Sequence, residues 1–453
     1  MAAGRGEHPN LLAPLKVIVR KNIQRTKFNK SRIRLVIKYK NGKLNIENVG
    51  IHEIASEIGT PFYCYSYDKI LDQYRKLADA LSKSNVSIYF AVKANSNLSI
   101  IKTLANEGAG ADVVSLGELK RCLLADLDPK KIVFSGVGKT SEEIAEALKQ
   151  DIFQINVESE AELITINEVA GSLGKVANIG LRVNPDVDAK THEKITTGMK
   201  ENKFGVDLKD APIFFSKASA LSNISLKSLA VHIGSQLTEL SPYRKAYGKV
   251  AEMTLHLRTS GYDIHHLDLG GGLGIPYSDE SSADLNSFNE IIRDTVGGLD
   301  CKLSVEPGRY LVGEAGILVT RVIYIKQGEQ KKFVIVDAAM NDLIRPTLYD
   351  GFHDVVPISE ETIASNKSLT DLVGPICESG DYLAQDRMLP DVNQNDLLAI
   401  KCAGAYGAAM ASNYNSRPLI PEVLVRDNAF SVVRERQSFE EMIQKEKLAD
   451  WLL

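Results

Sequence analysis

Lys93 closes the apolar run SIYFAV and is followed by Ala94 and Asn95. A lysine at the end of such a run is taken out of water, which lowers its pKa and frees the amine to form a Schiff base with a carbonyl compound. Taken alone, it would more often be a lysine whose head snorkels back to solvent. Three further places bear on the choice. Gly270, Gly271 and Gly272, with Leu273 and Gly274, follow HHLDL, and a backbone without side chains lets N–H groups approach a phosphate closely. The spacing does not continue into the G-x-G-x-x-G of a dinucleotide site, and a plain tight turn would use the same residues. Glu306, in Glu-Pro-Gly-Arg, ends another apolar run. Facing a pyridine nitrogen, its carboxylate would keep that nitrogen protonated and make the ring an electron sink; the alternative is an ion pair with Arg309. His232, in AVHIGSQ, offers a flat face to such a ring, or else is a core histidine satisfied by hydrogen bonds. His265 and His266 precede their strand and are assigned no role.

These positions need one scaffold, and the chain has a rhythm that supplies it. Between about residues 61 and 320, eight short apolar runs end at Val92, Ser115, Ser135, Val157, Asn184, Ile233, Leu269 and Glu306. Amphipathic helical patterns separate most of them, as at Leu98, Ile101, Leu104 and Ala105. Eight strands alternating with helices predict a closed parallel α/β barrel of the TIM type, not an open sheet. Such barrels build their sites at the C-terminal strand ends, where Lys93, His232, the glycine run and Glu306 all fall. That agreement carries more weight than any one residue.

Beyond residue 320 the rhythm changes. RVIYIKQ, KKFVIVDAA, DLVGPICESGD and LLAIKCAGAYG read as strands without regular helices between them, predicting an antiparallel β domain. A charged helix from about Ser438 to Leu453 is expected to close it. Upstream, RLVIKY, the turn Asn41-Gly42 and KLNIENV predict a hairpin too small to stand alone, which should join that C-terminal domain. The expected organisation is a basic extension over residues 1–40, a barrel over 61–320, and a discontinuous β domain from 41–60 with 321–453.

Composition excludes several classes. Lys+Arg 54 against Asp+Glu 58 argues against nucleic acid as the main partner, and no apolar run approaches the roughly 20 residues of a membrane span. Cys64, Cys122, Cys301, Cys377 and Cys402 are scattered, with no C-x-x-C pair, so neither a disulfide framework nor a metal site is expected and a reducing cytoplasm is the default. The extension is the local anomaly: 11 Lys/Arg and no Asp or Glu between His8 and Ile46, leaving 43 bases against 58 acids elsewhere. A nucleic-acid arm, a transit peptide and an extension without catalytic consequence are all open, although a single Ser31 and two early prolines are unlike a transit peptide.

FAVKAN, ITTGMKENKFGV at 195–206, HIGSQ, DLGGGLGIPY, EPGR, CESGD and GAYG closely resemble the diaminopimelate decarboxylase family of alanine-racemase-like, fold-type III pyridoxal-phosphate enzymes. The resemblance spans about residues 45 to 435 and leaves out the basic leader. It implies pyridoxal 5'-phosphate held by Lys93, with His232 stacked on its ring and Glu306 facing its pyridine nitrogen. Ser235, Gly271, Gly272 and the Gly308-Arg309 loop would hold phosphate, with Tyr406 closing over. Arg309, Arg345 and Tyr349 would grip a distal carboxylate, Glu378 a distal ammonium, and Cys377 would donate a proton. The family's Cys377 and Glu378 come from the partner subunit, so a homodimer with shared sites is implied. The reaction implied is decarboxylation of meso-2,6-diaminopimelate to L-lysine, for which an arginine fork and an acidic side chain suit the unreacting zwitterionic end. A related decarboxylase of ornithine, arginine or carboxynorspermidine is the nearest alternative, but those substrates lack a distal carboxylate. A racemase would need a second base on the opposite ring face. A non-catalytic pyridoxal-phosphate-binding barrel would have no use for the long C-terminal β domain, and a regulatory pseudo-enzyme none for an intact Lys93, Cys377 and Glu378.

Overall fold

Eight parallel strands close into a barrel: β1 (Val86–Ala91), β2 (Gly110–Val113), β3 (Ile132–Phe134), β4 (Gln154–Val157), β5 (Ala177–Asn184), β6 (Ile224–Val231), β7 (His266–Asp268) and β8 (Lys302–Val305). The computed structural model describes residues 37–188, 203–278 and 280–453. The extension up to residue 36, and residues 195–202 of the ITTGMKENKFGV segment, lie outside the described residues. Strands pair in chain order, and β8 returns to β1 with Leu303 opposite Val86. Every run picked from the sequence is therefore a barrel strand. A further two-residue strand, Val206–Asp207, pairs beside β5.

Strand alternation sorts the side chains into two environments. Phe90, Val113, Phe134, Val157, Leu181, Leu229, Leu267 and Val305 are all buried, in one apolar cluster with helix residues such as Ile100, Leu104, Leu119, Ile144 and Leu163. Each such burial contributes roughly 2 kcal/mol. The alternate positions carry a polar network: Gln154 donates to Asn156 at 2.7 Å, and Asn156 donates to Ser135 at 3.1 Å and Asp268 at 3.2 Å. His266, which lies within β7, meets Ser228 at 3.2 Å and Ser304 at 3.0 Å. The polar groups of the barrel interior thus pair mostly with one another, with Asp112 Oδ1 and Glu306 Oε1 at the mouth left without a partner.

The second sheet is built on Gly316–Gln327, which pairs antiparallel with Lys332–Val336, Leu397–Ile400 and Phe62–Ser66. Two of its pairings are parallel, Lys332–Val336 with Lys367–Val373 and Phe62–Ser66 with Glu422–Arg426, so it is mixed and mostly antiparallel. Phe62–Ser66 and the start of Gly316–Gln327 were assigned to the barrel segment 61–320; the pairing register puts both in this sheet. A short, fully buried run such as FYCYS carries no period that tells one sheet from another. The hairpin turns at Asn41 (φ 52°) and Gly42 (φ 74°), both left-handed as a primed turn requires. With Val49–Gly50 it forms its own three-stranded sheet, and Leu44, Ile46 and Val49 share one apolar cluster with Phe62, Cys64, Ile317, Ala399 and Val423. It packs on the second sheet and joins it by a single antiparallel bridge, Lys43 with Ser359, where the Leu44 N–H donates to the Ile358 carbonyl at 2.8 Å. The closing helix is shorter than expected: Phe439–Ile443, capped reciprocally by Ser438 and Glu441, then a single turn at Asp450–Leu452. Residues 444–449 are mostly exposed and offer no apolar stripe to bury, so propensity alone does not carry a helix through them. Among the described residues, no helix is long and apolar enough to cross a membrane.

Candidate active site

A cavity of about 570 Å³ opens at the C-terminal ends of the barrel strands. Its walls include Lys93, His232, Ser235, Gly272, Glu306, Gly308, Arg309, Tyr349 and Tyr406. Nine residues singled out from the sequence are thus brought together. Asp112, Asn156, Arg182 and Asp268 line it as well, four residues that no motif in the sequence marks. The rule that flagged Lys93 applies to Asp112 and Arg182 too, since both sit near strand ends.

Lys93 lies on a single turn, Val92–Ala94, just past β1. That turn is fastened to the second half of the chain: Tyr406 N–H donates to the Ala94 carbonyl at 2.8 Å, and Asn95 Nδ2 donates to the Gly404 carbonyl at 3.0 Å. Tyr406 takes a left-handed backbone (φ 55°), which costs a non-glycine residue about 1–2 kcal/mol and is held by those contacts. The Lys93 ammonium is 3.5 Å from Asp112 Oδ2, and its side chain keeps 39% of its surface open to the cavity. Burial alone would depress its pKa, but Asp112, then Tyr406 and Glu306, outweigh it and hold the pKa above the ordinary lysine value. The sequence-based expectation of a deprotonated amine is therefore reversed by neighbours that only the fold reveals.

Glu306 is pushed well above the usual carboxylate range by burial, then by Asp112 and Asp268. Its Oε1 is buried without a hydrogen-bond partner. His232 is pushed well below its ordinary value by burial, with Lys93 and Arg182 adding to it. The Gly271 N–H donates to His232 Nδ1 at 3.2 Å, which makes that nitrogen an acceptor. Gly271 is accordingly committed to the histidine and does not line the cavity, against the expectation that it holds phosphate. The glycine run is required by crowding: Gly270 (φ 70°) with a Cβ would meet the Val231 carbonyl at 2.1 Å, and Gly272 (φ 108°) the Gly234 carbonyl at 2.5 Å.

Arg309 and Arg345 are both buried. Arg309 donates to Tyr277 Oη at 2.5 Å and to Ser235 Oγ at 3.2 Å, and its guanidinium lies 4.7 Å from the Tyr406 ring centre. Arg345 does not line the cavity; its guanidinium packs 4.4 Å from the Tyr277 ring centre and donates to His353 Nε2 at 2.6 Å. Burial, then Arg345, pushes His353 from 6.5 down to about 3. Arg309 and Arg387 act in the same direction, and the Lys401 carbonyl opposes them. A histidine depressed in the fold stabilises fully above its unfolded value, and that stability is lost as pH falls towards the folded one. Between about pH 6.5 and 3 the wild type should therefore lose up to about 1.4 kcal/mol per pH unit that a His353→Gln variant does not lose. Parallel denaturation curves across that range would refute this.

The matching family model, pyridoxal-dependent decarboxylase, pyridoxal binding domain, covers residues 67–313. The diaminopimelate decarboxylase of Zymomonas mobilis is 44% identical over 418 residues, covering 91% of this chain and 99% of that protein. The chain belongs to the diaminopimelate decarboxylase family. The crystal structure of that enzyme from Helicobacter pylori, complexed with L-lysine, aligns with TM-score 0.84 at 44% identity, covering 87% of this chain and 98% of that one. The enzyme from M. jannaschii aligns with TM-score 0.88 at 37% identity, covering 92% and 99%.

Pyridoxal phosphate, the cofactor of these decarboxylases, fits the residues present. The unpartnered Glu306 Oε1 is a buried polar atom of the kind a ring nitrogen satisfies, and the buried Arg309 Nε is likewise without a partner. Besides Gly271 and Arg345, two more residues that the resemblance assigns to a diaminopimelate decarboxylase site are not at this cavity. Cys377 is exposed, its N–H donating to Asn415 Oδ1 at 3.2 Å, and the neighbouring exposed Glu378 accepts from the Tyr414 hydroxyl. CESGD is a loop, not the strand expected, and Thr347 Oγ1 ties it to the Arg345–Tyr349 helix through the Gly380 carbonyl at 2.6 Å.

Proposed function

We propose that this chain decarboxylates meso-2,6-diaminopimelate to L-lysine and carbon dioxide, the closing step of lysine biosynthesis. The observation that carries this reading is the pair of buried guanidiniums, Arg309 and Arg345, that has no carboxylate partner among the described residues. A substrate with a second carboxylate supplies that partner; ornithine, arginine and carboxynorspermidine would leave both guanidiniums on neutral supports alone.

Pyridoxal phosphate, when bound, takes up the electron pair left as carbon dioxide departs. Lys93 would hold the cofactor, with His232 and Glu306 as the residues that would serve its ring and ring nitrogen. Ser235, Gly272 and the Gly308-Arg309 loop hold its phosphate, with Tyr406 closing the cavity. Arg309, Arg345 and Tyr349 grip the distal carboxylate, Glu378 the distal ammonium, and Cys377 delivers the proton. Cys377 and Glu378 stand outside their own chain's cavity, which supports a homodimer in which each subunit completes its partner's site. With five free cysteines and no pairing between them in the described fold, the reading places the enzyme in the cytoplasm.

Carbon dioxide release from meso-diaminopimelate, measured beside ornithine and arginine, tests the substrate. Lysine should form from the first, with the other two slower by about 10³-fold or more. Comparable rates from ornithine would overturn the assignment.

A further inference from the structure

Two buried cations packed against one tyrosine, Tyr277, raise a question that the clamp itself does not answer: what holds them there. Arg309 rests on Tyr277 Oη, Ser235 Oγ and the face of Tyr406. Arg345 rests on the face of Tyr277 and on His353 Nε2. All of these supports are neutral. The His353 ring is fixed in turn. Its Nδ1 lies 2.8 Å from the Lys401 carbonyl oxygen, which can only accept, so Nδ1 carries the proton. Arginine can only donate, so Nε2 is the acceptor and the ring carries no charge. The ring meets Tyr277 edge-to-face at 5.3 Å and 82°. His353 and Tyr277 therefore touch each other, and between them touch both guanidiniums.

We propose that His353, braced by Tyr277, is the positioning residue of the carboxylate clamp, chosen as an acceptor without charge so that Arg345 stays uncompensated and aimed at the substrate's anion. A carboxylate at this place would meet the guanidinium as a fork and cancel the charge that the substrate is meant to meet. A residue without an acceptor would free Arg345 to turn. The neutral ring does neither. Burial, and the Arg345 charge beside it, keep the ring neutral across the working range of pH. This inference rests on the proposed substrate for its biological meaning, and on geometry alone for the anion preference of the guanidinium pair.

The test compares the holoenzyme with its His353→Glu, His353→Gln and His353→Leu variants. It reads kcat and KM for meso-diaminopimelate, and inhibition by L-lysine and by L-lysine methyl ester, which lacks the carboxylate charge. Glutamate should raise KM and the lysine inhibition constant by about tenfold or more, with kcat moving far less and the absorbance of bound cofactor unchanged. Glutamine, which can still accept from Arg345, should restore most of the loss, and the methyl ester should show no such difference. Equal constants for glutamate and wild type would overturn the proposal, as would equal losses for glutamate and glutamine. If the glutamate variant does not fold, leucine against glutamine decides: a raised KM for leucine alone supports the acceptor role, and equality overturns it. Should the wild type release no carbon dioxide from meso-diaminopimelate, the substrate reading fails, while lysine against its ester still decides the role of His353.

Discussion

Replacing Lys93 by alanine should remove turnover, by about 10⁴-fold or more, together with the visible absorbance of the lysine-bound cofactor. Nothing else in the cavity can take its place: among the described lining residues Lys93 is the one lysine, and the other basic groups there are His232, Arg182 and Arg309. The loss should be chemical and not structural. The turn is fixed by backbone and Asn95 contacts that the substitution leaves in place, so the melting temperature should stay close to wild type. Asp112 would lose its ammonium partner, but burial already pushes its pKa up, so it can take a proton instead of remaining a buried charge. A visible band that survives in Lys93→Ala, or a borohydride-trapped sample with no pyridoxyl label at position 93, would remove the residue from this role.

Cys377→Ala should lower kcat by about 10²–10⁴-fold while KM moves much less, as the loss of a proton donor requires. A parallel loss in both would assign the thiol to recognition. Because Cys377 lies outside its own chain's cavity, a second measurement separates the two arrangements of the site. Lys93→Ala and Cys377→Ala chains, each nearly inactive, are unfolded together and refolded as a mixture. If each site takes residue 93 from one chain and residue 377 from the other, half of the dimers regain one intact site, and activity returns to about a quarter of wild type. No return on mixing would mean that one chain supplies both.

The barrel was legible because its strands are short, apolar and regularly spaced, and because Lys93, His232 and Glu306 stand at positions a barrel makes adjacent. What the sequence hid follows from contacts made across long separations. Phe62–Ser66 looks like any buried strand, and only its register against Gly316–Val319 moves it to the second sheet. Tyr382–Pro390 was missed because its apolar pattern is interrupted at Asp386, which sits at φ 51°. The direction of the Lys93 shift was misjudged because burial can be guessed from one strand, whereas the Asp112 carboxylate comes from the next. Tyr277, in GIPY, has no local signal of a role, since nothing near it in sequence says that its ring will carry Arg345. His353, in Gly-Phe-His-Asp, carried no signal at all.

The fastening of the Ala94-Asn95 turn to Gly404 and Tyr406 bears on the order in which the enzyme comes into being. A ribosome that has delivered residue 320 has already released every stave of the barrel, yet the segment that pins the turn beside Lys93 has still to be made, and Asn95 waits for a partner 309 positions downstream. The turn beside Lys93 thereby gains these two fastenings only once residues 404–406 have been made. A chain that stopped before Gly404 would carry the same lysine on a turn lacking both of those distant bonds.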